Sequence, residues 1–257
     1  MLLSMGHRRV AFISYDLGES WSDKRYRGIR SEFTRAGYGD AVSLFAMKDP
    51  LEFIDVLLDP LDLTAEQMNR VFPGRNETPL DREGLTARFS FLDNLVRSNQ
   101  DILERFRRNV RSLSRMPREN MYGETLGIMI ERNIILMRRE LFEIFTGYLF
   151  DQALPDRACT AWVGANDDTA IFAMSFLKRH AIGIPKDISL IGFDGDPLGF
   201  EYGLTSFDFD FPNIARQMLA FIARPLTGMV STRNSYVEMP GIIIQRESTA
   251  NASRRYD

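Results

Sequence analysis

This 257-residue chain has one cysteine and two histidines. Cys159 has no partner within the chain, so no internal disulfide forms and nothing requires an oxidising compartment. His7 and His180 are far apart, and a zinc site needs several Cys or His donors together, so no metal site is expected. No apolar run approaches the length of a membrane span, and the start, Met1 to Arg9, reaches charge too soon for a signal peptide. An excess of positive charge is also missing: the net charge is −3. A chain that held nucleic acid by its own phosphate contacts would ordinarily be basic. Catalytic signatures are absent too. There is no G-x-S-x-G, no P-loop, no H-E-x-x-H and no Cys–His signature, so an enzyme is not expected, and no cofactor.

What is present is an ordinary globular balance, 44% hydrophobic and 26% charged, in three zones. In the first, Arg9–Ser14 reads as a buried strand and Ser22–Ala36 as a helix with Tyr26, Ile29 and Phe33 on one face. Gly37 stands at the helix end, and Ala41–Phe45 reads as a second strand. Strand, helix, strand is the pattern of a parallel α/β sheet. The third zone repeats it. Ala158–Gly164 and Ile188–Phe193 read as strands. Asn166 opens a helix to about His180, Pro212 sits in the first turn of a helix ending near Ala223, and Tyr236–Gln245 reads as a closing strand or strand pair. The middle zone has helical spacing, a capping box at Thr64–Gln67, a turn at Pro73–Asn76, and long helical stretches near 80–114 and 124–153. The expected organisation is an α/β domain from residues 1–49 and 155–257, with a mainly helical insertion over 50–154 that adds no strand to the sheet.

Three ordered segments carry a family resemblance. Met5-Gly6-His7-Arg8-Arg9-Val10-Ala11-Phe12-Ile13, with Ser22 to Ile29 after it, is similar to the LGHRRIAFI strand and S..R..GF helix of LacI/GalR-type regulators. Ala165-Asn166-Asp167-Asp168-Thr169-Ala170 is similar to their ANDxMA segment, and Ile184 to Gly195 to their VPxDVSVVGFDG segment. Leu204-Thr205-Ser206 and Arg246-Glu247-Ser248-Thr249 resemble their LTT crossover and terminal RxST. The resemblance covers about 150 residues in the first and third zones, and the middle zone shows no such motif. It implies a periplasmic-binding-protein-like α/β fold. The chain opens at what resembles the last strand of the family's N-terminal lobe, so much of that lobe is expected to be missing.

The resemblance implies a cytoplasmic sensor of a small polar effector, sugar-like, acting as a homodimer. DNA would be reached only through a helix-turn-helix domain that this chain does not contain. The alternative is a solute-binding protein that feeds sugar to a transporter. By position in the motifs, Arg25, Asn166 and Asp194 match the family's ligand-contacting residues. The residue chemistry agrees, since Arg donates from a fork, Asp accepts through two oxygens, and Asn does both, which suits paired hydroxyl groups. Each has a plainer alternative: a surface arginine, a helix N-cap and a turn residue. Further candidates are Tyr15, Trp21 and Phe209 as stacking faces, and Asp16 and Asp167 as polar contacts. Phe209 stands where the family often has Gln.

Between Arg97 and Arg118 lie seven arginines, partly offset by Asp101, Glu104 and the adjacent Glu119. A solvated helix face is the expected reading, and the apolar residues Ile128–Ile130 and Ile134–Met137 are read as packing or a partner surface. The chain alone is therefore expected to show no sequence-selective DNA binding near physiological salt. A salt-titrated mobility-shift assay checks this. Sub-micromolar selective binding that disappears when Arg105, Arg108 and Arg111 become Glu would contradict it.

Overall fold

The structure is a computed structural model, and it describes residues 1–18, 20–47, 64, 100–114, 142–223 and 239–252. Most of the expected capping box, the Pro73–Asn76 turn, the stretches 80–99 and 124–141, and Tyr236–Glu238 lie outside the described residues. The elements in chain order are β1 (Val10–Ser14), α1 (Ser20–Arg35), β2 (Val42–Ala46), α2 (Gln100–Ser114), α3 (helical over 142–153), β3 (Ala161–Gly164), α4 (Asp167–Arg179), β4 (Ser189–Phe193), α5 (Pro197–Glu201), β5 (Thr205–Asp208), α6 (Phe211–Ile222) and β6 (Ile242–Ile244).

The chain divides into two compact units. One comprises residues 1–14, 20–45 and 153–257, and the other residues 15–19 and 46–152. The first holds a sheet of order β2-β1-β3-β4-β5-β6. β1, β3, β4 and β5 run parallel, and β6 closes the edge antiparallel to β5. Val10 lies opposite Ala161 and Ile13 opposite Gly164, so β1 and β3 are distant in sequence and adjacent in space.

Both faces of the sheet are covered, which is why β1 reads as an unbroken apolar run rather than an alternation. Val10 and Phe12 join Ala161, Val163, Val42 and the α1 residue Phe33 in one cluster. Trp162 points to the opposite face and meets Phe176 of α4 at a ring separation of 6.4 Å. α1 ends where expected: Gly37 has φ +87°, and the Tyr38 amide returns to Phe33 O at 2.8 Å. In the second unit, Leu103, Phe106 and Val110 of α2 are buried at helical spacing, as are Ile144, Phe145 and Leu149 of α3.

The amino ends of the strands are clasped by motif residues. His7 is buried, its Nδ1 2.8 Å from Thr160 Oγ1 and its Nε2 donating to Ala250 O at 3.0 Å. Ser248 Oγ donates to Leu190 O at 2.6 Å and accepts from the Thr205 amide at 2.8 Å. Thr249 Oγ1 lies 2.9 Å from Thr205 Oγ1. The GHRR and RxST segments thus tie the chain's start and the 246–252 strap to β3, β4 and β5, away from the strand ends that carry the candidate site.

Two differences from expectation stand out. β5 was read only as a crossover, yet Thr205–Asp208 is a full member of the sheet. Of the expected closing strand or strand pair, the described part, residues 239–245, holds one strand of three residues, Ile242–Ile244.

Gly192 in β4 is a close-approach glycine. A Cβ there would lie 2.0 Å from Asp167 Oδ1 and 3.0 Å from Asp167 Cα, so Gly192→Ala is expected to cost about 3 kcal/mol. Gly28, on α1, meets nothing within 4 Å, and Gly28→Ala is expected to stabilise by about 0.5–1 kcal/mol. Urea unfolding of the two variants measures both. A Gly192→Ala protein as stable as the parent would mean that Asp167 does not sit against β4.

Candidate functional site

Because β1, β3, β4 and β5 are parallel, their carboxyl ends lie along one edge, where α/β sheets place their ligands. Ser14 ends β1, and its Oγ lies 2.8 Å from Ser22 Oγ of α1, both buried. This tie fixes the first turn of α1 and so the positions of Trp21 and Arg25.

Arg25 reaches across two strand ends. Its Nη1 donates to Ala165 O, just past β3, at 2.6 Å, and its Nη2 to Asp194 Oδ1, just past β4, at 2.7 Å. The plain surface-arginine alternative does not hold, since the Arg25 side chain is only 15% exposed. Three rings surround the guanidinium. Its Cζ lies 4.6 Å from the Trp21 ring centroid, 5.0 Å from Phe193 and 5.1 Å from Phe209. Contacts of this kind are worth about 0.5–2 kcal/mol each, more as water is excluded. Phe209 also packs edge-on against Phe207 at 4.9 Å, and Phe207 against Phe193 at 5.7 Å, so the rings form one connected group.

Asp194 has φ +109°, a region that L residues seldom occupy, and Gly195 follows at φ +68°. Burial pushes the Asp194 carboxyl above its usual range, partly opposed by Arg25. Its side chain is 36% exposed, so it faces solvent while paired.

Asn166 caps α4. Its Oδ1 accepts from the Thr169 amide at 3.0 Å and from Thr169 Oγ1 at 2.6 Å. The cap reading of this residue is therefore realised in the geometry, at the carboxyl end of β3 and one residue from the carbonyl that Arg25 holds. Asp167, beside it, is 1% exposed. Its oxygens accept from Ser206 Oγ at 2.7 and 2.9 Å, and Oδ2 from the Asp196 amide at 2.7 Å. Burial outweighs these bonds and pushes its pKa up to about 6, with Asp194 and Asp196 adding repulsion.

The structure thus brings Arg25, Trp21, Asp194 and Phe209 together, with Asn166 and Asp167 at the same edge. Tyr15 and Asp16 belong to the other compact unit, where Tyr15 stacks on Phe142 at 4.3 Å. Three participants were not foreseen: Phe193, the Ala165 carbonyl and Ser206. Phe193 read only as the last residue of a strand, although its place next to Asp194 was the available signal. Among the described residues, no group of three or more His, Cys, Asp or Glu is arranged to hold a metal ion, and no helix is long and apolar enough to cross a membrane.

The model of the periplasmic binding protein-like domain matches residues 91–249, well over half of the chain. The chain belongs to this family. The match takes in α2 and α3, where no motif was evident, as well as the sheet from β3 onward. Its domain is of the effector-binding kind found in LacI-family regulators. The HTH-type transcriptional regulator MalR of Streptomyces coelicolor is 30% identical over 119 residues, 46% of this chain and 34% of the relative. The regulator reg1 of Streptomyces lividans is similar to the same extent. These relatives are transcriptional regulators, not enzymes. Among solved structures, a LacI-family regulator from Burkholderia phymatum is similar with a TM-score of 0.50 and 17% identity, over 97% of this chain and 58% of that one. A LacI-family regulator from Enterococcus faecium with bound ribose gives a TM-score of 0.47 and 16% identity, over 97% of this chain and 59% of that one. The chain spans about a third of the length of the curated relatives it matches, and under two thirds of these structures.

Asp167 makes stability depend on pH in a definite direction. Its folded pKa, about 6, lies above the ordinary aspartate value of 3.8, so the folded chain holds the proton more tightly. The stability this confers is complete below about pH 4 and is lost as pH rises through about 6. Unfolding free energies of the parent and Asp167→Asn, measured between pH 4 and 7, should therefore differ by an amount that declines with rising pH. A flat or rising difference contradicts the burial-dominated shift.

Proposed function

We propose that this chain senses a small polar effector, a sugar or sugar derivative, as the effector-binding domain of a LacI-type transcriptional regulator. The observation that carries the reading is Arg25. A guanidinium is held by one carbonyl and one carboxylate at the carboxyl edge of a parallel sheet, with three aromatic rings around it. Of its five N–H donors, those two bonds use two, and Asp194 uses one oxygen on Arg25 while remaining part-exposed. The remaining donors and lone pairs match neighbouring hydroxyl groups, which both give and accept. Aromatic faces match the C–H faces of a pyranose or furanose ring. A buried polar group left unpaired by a wrong ligand costs about 1–3 kcal/mol, which is how such a site discriminates.

In the whole regulator, the domain works as a cytoplasmic homodimer, and a DNA-binding head outside this chain reads the operator. The effector acts by binding one arrangement of the protein more tightly than another. Asn166 contributes by fixing the start of α4 beside the Ala165 carbonyl. Supporting the reading are the family membership, the regulator relatives, and the chemistry of the edge itself.

Calorimetric titration of the chain with pentoses, hexoses and disaccharides tests it. At least one sugar should bind, and Arg25→Ala and Asp194→Asn should each weaken it at least tenfold, about 1.4 kcal/mol. Unchanged affinity in both variants would move the site elsewhere. Silence across the whole panel would remove the sugar class.

A further inference from the structure

The effector reading leaves open what holds Asp194 in an unfavourable backbone conformation opposite Arg25. Positive φ at a residue with a side chain costs on the order of 1–3 kcal/mol and persists only where its surroundings over-determine it. Here three consecutive backbone N–H groups are each tied down. The Asp194 amide donates to Phe207 O at 2.9 Å, the Gly195 amide to Ser206 Oγ at 3.1 Å, and the Asp196 amide to Asp167 Oδ2 at 2.7 Å. The last two bonds share one origin. Ser206 Oγ has a single hydrogen, which it gives to the Asp167 carboxylate, so its lone pairs turn toward Gly195. Asp167 therefore fixes Asp196 directly and Gly195 through Ser206. At 1% exposure it lies out of reach of any ligand. Gly192 and Gly199 leave the room it occupies, since a Cβ at either would crowd its oxygens.

We propose that Asp167 is a positioning residue: with Ser206 it holds the Asp194–Asp196 turn so that Asp194 meets Arg25, without itself touching the effector. This rests on the reading of the carboxyl edge as the effector site, but its physical content is the Arg25–Asp194 geometry of the ligand-free chain. Asp167→Asn keeps the side chain's shape but removes its charge and replaces one acceptor oxygen by an N–H₂, so the charge-assisted bonds from the Asp196 amide and the Ser206 hydroxyl weaken. Ser206→Ala removes the link to Gly195 and leaves the Asp196 bond in place. In both variants the turn loosens and Arg25 loses its fixed partner.

The test is chemical labelling of the full chain, without effector, by phenylglyoxal, with modification rates read arginine by arginine by peptide mass mapping. Arg25 is largely sheltered, whereas Arg27, on the same helix, is exposed and serves as an internal standard. Cys159, buried just before β3, reports general loosening through its reaction with iodoacetamide. Asp167→Asn and Ser206→Ala should each raise the Arg25 rate about fivefold relative to Arg27 while Cys159 stays protected. An unchanged Arg25 rate in a folded variant overturns the proposal. So does a rise in Arg25 accompanied by exposure of Cys159, which would make Asp167 a general stabiliser. Should Asp167→Asn fail to fold, Ser206→Ala decides alone. A sugar panel in which nothing binds would overturn the effector reading and leave this result intact.

Discussion

A carboxylate taken out of water has to be met by donors, and the carboxyl edge of this sheet is arranged around that requirement. Asp167 lies in the first turn of α4, against the strand-end glycine Gly192, and its acceptors are filled from β5 and from the turn after β4. One side chain thus joins α4, the turn after β4 and the strand β5. Such a junction is costly to leave half made. It also specifies geometry more sharply than apolar contact does, because hydrogen bonds have direction and packing does not.

Outward from that junction the polarity of the edge is graded. Asp167 is sealed, Asp194 is part-exposed and paired, and the aromatic group Trp21, Phe193 and Phe209 shields the guanidinium between them. The opposite edge has a different task. His7, Ser248 and Thr249 bind the strands to the chain's two outlying segments. Motifs that look equally distinctive in sequence therefore divide between a clasp at one end of the strands and a site at the other.

How much of this was legible follows from the range of each signal. β1, α1 and β2 were readable because their apolar spacing and the terminal Gly37 are local, and the ends fell within a residue or two. The position of Arg25 and Asp194 at strand ends was readable from the same patterns. β5 was missed although Ser206-Phe207-Asp208-Phe209 alternates with a period of two, because the motif around Leu204 drew the reading toward a crossover. α5 has five residues, too few for periodicity to register. The burial of Asp167 was not legible at all. Asp is seldom buried, and the features that admit it, Gly192 and Ser206, lie 25 and 39 positions away. Asn166 was readable in both of its senses, and the side chain shows the local one, the cap.

The pairing of Val10 with Ala161 has a temporal side. At synthesis rates of about 5–20 residues per second, β1 leaves the ribosome roughly 8–30 s before the strand it must lie against. All five of its residues are buried in the finished sheet; α1 and β2 can cover it early, but for that interval its β3 side has no partner strand. Closing so long a loop adds little to the equilibrium cost, since the penalty grows only with the logarithm of length, but it delays folding. The order in which this sequence is written thus leaves one strand edge of the nascent chain unpaired for that interval, whatever the stability of the folded product.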